Sequence, residues 1–158
     1  MAPARPIPEL TCDESFRSAA GKVIWTRFEE MMSFRDSALE GRDIDGVHDM
    51  RVAARRLRAA MELFSDAFPR RRFKRMLRSV KGLADALGGV RDLDVMIKRL
   101  EEDLPSRPPA QALVLEEMLD DFKRQRKGAR AELKAVITRL ESESFSHSFL
   151  STVAREVG

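Results

Sequence analysis

A chain of 158 residues, 43% hydrophobic and 35% charged, is long enough for one domain with a buried core. No apolar run approaches the ~20 residues of a membrane span, the N-terminus lacks the apolar core of a secretory leader, and the single cysteine, Cys12, excludes an internal disulfide and fits a reducing cytoplasm. The net charge of +3 hides an asymmetry: from Arg51 to Lys81 stand eleven basic residues against two acids, Glu62 and Asp66, so the remainder is net acidic and this segment is a local attractor of polyanions.

Residues 1–10 contain three prolines and read as a flexible, extended tail. The first helix is expected from about Cys12 to Leu39, capped by Thr11 or Asp13. Phe16, Ala20, Val23, Phe28 and Met31 form its apolar stripe, Ile24 and Trp25 widen it, and Gly41 ends it. Asp45 is a good N-cap for a second helix, about Gly46 to Asp66, with Pro69 beyond its end. A third helix runs from about Arg70 to Leu87 and is expected to stop at Gly88-Gly89. A short fourth begins near Asp92, with Asp92 and Asp94 in its first turn, and ends before Pro105. Pro108-Pro109 opens a long helix to about Leu140, with Leu113, Leu115, Leu119, Phe122, Leu133 and Ile137 as its core face. A last short helix covers about Phe145 to Glu156. No strand alternation is visible. The expected fold is all-α, an antiparallel bundle of about four main helices plus short ones.

The second helix carries the chemistry. At about 100° per residue, His48, Arg51, Arg55 and Arg58 fall within an arc of about 80°, opposite Met50, Ala53, Ala54, Leu57 and Met61. A guanidinium row headed by a histidine suits phosphate oxygens. Most basic helix faces are simply solvated, and they interleave acids at i±4. This one holds only Glu62, at its far end. On the third helix Arg71, Lys74, Arg78 and Lys81 repeat the same spacing, so the two helices side by side would form a cationic trough. His48 could donate a neutral N–H to phosphate or become protonated once phosphate is bound. No metal site is expected, because His147 is the only other histidine. His48-Asp49 pairs occur in metal phosphohydrolases, but those need further histidines. Asp92 and Asp94 read as dipole, cap or ion-pair partners more readily than as metal ligands. No nucleophile–base set is visible, and Gly88-Gly89 is too small a signal for a phosphate loop. No cofactor and no enzymatic activity are expected.

Two stretches together, Val47-His48-Asp49-Met50-Arg51-Val52-Ala53-Ala54-Arg55-Arg56-Leu57-Arg58 and Leu87-Gly88-Gly89-Val90-Arg91-Asp92-Leu93-Asp94-Val95, closely resemble the CHAD family (conserved histidine α-helical domain). The resemblance implies a CHAD-like helical domain over residues 11–158 that binds inorganic polyphosphate through a basic surface, in the cytoplasm and in association with polyphosphate granules. Carried over by position, the implied ligands are His48, Arg51, Arg55 and Arg58, with Lys74, Arg78, Lys81 and Arg91 as neighbours and Arg126 and Arg130 on the long helix as weaker candidates. Typical members hold two related helical bundles, and this chain matches only the first. Pairing of two chains into a homodimer would rebuild the two-bundle surface. The alternatives are a nucleic-acid binder using the same face on an RNA or DNA backbone, which the scarcity of aromatics disfavours for single strands, and a helical scaffold whose cations pair with a partner protein.

Overall fold

The computed structural model describes residues 3–41 and 44–153, and the side chains of 143–146 and 150 lie outside that description. Its helices are α1 (Phe16–Met32), α2 (Arg35–Glu40), α3 (Asp45–Leu63), α4 (Arg70–Asp103), α5 (Pro109–Glu141) and α6 (Glu143–Val153), with single 3-10 turns at Ser65–Ala67 and Leu104–Ser106. The architecture is all-α. α3 packs between α1 and α4, α2 lies on α3, and α4 and α5 form a long antiparallel hairpin.

The first expected helix is two. Ser15, not Thr11 or Asp13, caps α1, its side chain accepting from the Ser18 N–H at 3.1 Å. The helix turns at Ser33-Phe34, and α2 follows. Phe16 is exposed rather than core, although its ring meets Phe64 at 5.5 Å. Residues of the N-terminal segment touch α1: the Arg27 guanidinium donates to the Arg5 carbonyl at 2.8 Å, and the Lys22 ammonium to the Glu9 carbonyl at 2.6 Å.

Gly41 ends α2 in the left-handed region, at φ 64°. A Cβ there would also fall 2.0 Å from Arg130 Nη2, which donates to the carbonyls of Ala38 and Leu39 at 3.1 and 3.2 Å. That guanidinium from α5 satisfies carbonyls a helix C-terminus leaves open and complements its dipole. Asp45 is the first residue of α3 rather than its cap, which is Ile44 and offers no side-chain bond.

The largest departure from expectation is α4. It does not stop at Gly88-Gly89 but runs unbroken for 34 residues, about 51 Å. Asp92 and Asp94 therefore sit mid-helix, not in a first turn. The reason is the buried stripe of Val80, Leu83, Leu87, Val90 and Ile97, which passes across the glycines. Two glycines cost about 1 kcal/mol each in a helix interior, and burying one large aliphatic side chain contributes about 1.5–3 kcal/mol. α5 starts at Pro109, as the Pro-Pro signal requires. Of its expected core, Leu119, Leu133 and Ile137 are buried, whereas Leu113 is 64% exposed, because α4 and α5 run out past α1–α3 and nothing covers that side of the tip. The last helix begins two residues before Phe145, and its expected end, 154–156, lies outside the described residues.

α6 returns the chain to α1. Phe149 stacks on Phe28 at 4.3 Å between ring centroids, and Trp25 meets both rings, at 5.8 and 6.4 Å. No helix among the described residues is long and apolar enough to cross a membrane.

Candidate anion-binding face on α3

Val47, Met50, Ala53, Ala54, Leu57 and Met61 bury one side of α3, which turns Arg55 outward. Arg51 leans toward α4, where its Nε lies 4.0 Å from the position a Cβ on Gly88 would take. Arg51 and Arg55 form no ion pair among the described residues. His48 is half-buried, and its Nδ1 is buried with no hydrogen-bond partner among the described residues.

The rest of the expected ligand set divides. Arg58 and Lys81 both pair with Glu62, at 3.2 and 2.9 Å, and so link α3 to α4. These two cations, Lys81 foremost, hold the Glu62 carboxyl below its ordinary range. Lys74 lies beside a cavity of about 550 Å³ with Phe68, Phe73 and Leu77. Arg78 lines a groove on the other flank of α4, against α5. The basic row of α4 therefore lies along one face of the helix, with Lys81 linked to α3 through Glu62 and Arg78 bordering the groove against α5.

Arg91, Arg126 and Arg130 have structural contacts. Arg91 donates to the Ile44 carbonyl at 3.4 Å and braces the start of α3. Arg126 reaches the buried Asp94 at 3.4 Å, which makes Asp94 an interhelical ion-pair partner. Arg130 caps α2, as described above. Among the described residues no group of three or more His, Cys, Asp or Glu is placed to hold a metal ion.

One pairing lay beyond sequence reasoning. Arg56, next to Arg55, points the other way and donates to Glu30 of α1 at 2.7 Å, while Arg27 donates to the same carboxylate at 2.6 Å. Glu30 is 1% exposed. Consecutive arginines on a helix point about 100° apart. That much is visible in the sequence; the partner, 26 residues away, is not.

The fold and this face define a class: a helical bundle with an arginine-rich helix whose head is a histidine. The chain belongs to the CHAD family, since the model of the CHAD domain matches residues 22–155. It is also similar to the "Uncharacterized protein Rv2226" of Mycobacterium tuberculosis (strain ATCC 25618 / H37Rv), 28% identical over 132 residues, which are 82% of this chain and 25% of that protein. The chain therefore spans about a quarter of that relative's length. No solved structure matches.

Proposed function

We propose that this chain binds inorganic polyphosphate along the outer face of α3, as a binding module without turnover of its own. CHAD domains are associated with polyphosphate. The observation that carries the reading here is the pair of guanidinium groups, Arg51 and Arg55, that no carboxylate among the described residues neutralises, on the same helix as His48. Guanidinium groups match phosphate oxygens through paired N–H donors, and a row of them follows a polymer of phosphates.

The test is a binding titration with polyphosphate at several salt concentrations, with RNA as competitor. Affinity should fall steeply with salt, as expected when counterions leave a polyanion. Polyphosphate should displace RNA at matched salt, and the recovered polymer should keep its length. Tighter binding of RNA would favour the nucleic-acid reading, and shortening of the polymer would exclude a pure binding role.

Glu62 holds two cations that would otherwise face solvent. Glu62→Gln is expected to raise polyphosphate affinity about three- to tenfold, an effect of roughly 1 kcal/mol for releasing a surface ion pair. The sign with pH follows from the lowered Glu62 carboxyl. Its pairing is complete above the ordinary carboxylate range and is lost only as pH falls through the lowered value. The gap in affinity between wild type and Glu62→Gln should therefore persist at neutral pH and close only in strong acid. Equal affinities at pH 7 would remove Arg58 and Lys81 from the binding face.

A further inference from the structure

The α4–α5 hairpin has a flank turned away from α3, and its two ends differ in character. At the end near the bundle is a groove of about 540 Å³ with Met76, Val136 and Leu140 among its apolar lining and Arg72, Arg75, Arg78 and Arg139 among its polar lining. None of these four arginines forms an ion pair among the described residues. At the tip the hairpin exposes large apolar side chains: Met96 is 41% exposed, Val114 57% and Met118 42%. Glu117 flanks Val114 and Met118 on α5, whereas Asp121 accepts from Arg124 and Gln125 of its own helix at 3.2 and 2.7 Å.

Helical periodicity puts both features on the same flank. Met96 follows Arg78 by eighteen residues, and Val136 follows Met118 by eighteen residues. Eighteen residues are five full turns, about 27 Å. Arg78 and Val136 line the groove, so Met96 and Met118 project on its side of the hairpin, about 27 Å along. Between the two ends, α4 carries Gly82 and Gly89, seven residues apart and seven before Met96. A Cβ on either glycine would meet nothing within 4 Å. The fold of one chain gives neither glycine a packing reason, and each weakens the helix. Together they leave a shallow strip along which another helix could approach closely.

We infer that this flank is the contact surface for a second copy of the chain, with the two hairpins antiparallel. In that arrangement the Met96–Met118 tip of each protomer sits in its partner's arginine-rimmed groove, and Glu117 meets the arginines. The same contact occurs twice about a two-fold axis, so the assembly closes as a dimer and leaves no open end. The flank lies apart from His48, Arg51 and Arg55, so the inference stands independently of the polyphosphate reading.

The experiment is mass determination by light scattering without polyphosphate. At about 100 µM, where a dimer of micromolar affinity is largely assembled, wild type should show twice 18.0 kDa. Met118→Asp should shift the mass to that of one chain while the helical circular dichroism stays unchanged, because the side chain is exposed. Arg139→Glu should weaken the dimer at least tenfold, and Glu117→Arg in the same chain should restore it. A monomeric wild type, a dimer indifferent to Met118→Asp, or a charge swap without rescue would each overturn the inference. None of these outcomes bears on binding at His48, Arg51 and Arg55.

Discussion

Replacing Arg51 and Arg55 together by alanine should weaken polyphosphate binding by about a hundredfold or more at physiological salt, since hydrogen bonds to charged groups contribute roughly 1.5–3 kcal/mol each. The salt dependence should flatten as well, by a slope of about 0.7–0.9 per cation lost, by analogy with nucleic acids. The melting temperature should hardly move, because neither side chain has an ion pair among the described residues. The measurement is a pair of titrations at two salt concentrations beside a thermal melt. An unchanged affinity would sink the site assignment. A lowered melting temperature would show that these arginines support the fold.

The neighbouring substitution, Arg56→Ala, should do the opposite. It removes one of two guanidinium groups on a carboxylate that is 1% exposed. Leaving a buried charge short of partners costs about 3 kcal/mol or more, against a total stability of roughly 5–15 kcal/mol. For a domain of this size that lowers the melting temperature by roughly 6–12 °C. Polyphosphate affinity of the folded fraction should stay near wild type. Adding Glu30→Gln to Arg56→Ala should recover part of the loss, because it removes the charge that lacks compensation. A melting temperature equal to wild type in Arg56→Ala would mean that Arg27 alone satisfies Glu30. The two predictions separate adjacent arginines that composition treats alike.

What the sequence disclosed and what it withheld follow from range. The apolar stripe of α3 and its opposite cationic face are local, written at helical spacing within nineteen residues, and the bundle class follows from such stripes. Helix ends were harder. Gly88-Gly89 reads as a stop by propensity, but Leu87 and Val90 are buried on either side, and packing outweighs propensity over a long helix. The turn at Ser33-Phe34 has no glycine or proline to announce it. The division of the ligand set was beyond reach for a different reason. Arg130 is spent on carbonyls more than ninety residues earlier and Arg126 on a carboxylate thirty-two residues away. No spacing rule spans such separations. Glu62 is the intermediate case: its link to Arg58 is an i,i+4 pair visible in the sequence, and its link to Lys81 needs the docking of α4 on α3.

The seam between α1 and α6 has a spectroscopic consequence. Trp25 is the only tryptophan of the chain, and it lies there in ring contact with Phe28 and Phe149. Intrinsic fluorescence therefore reports the clasp between the first and last helices and not the cationic face of α3. A denaturation curve followed at the indole and one followed by far-ultraviolet dichroism watch different parts of the molecule. Their coincidence or separation tells whether α6 leaves with the bundle or ahead of it.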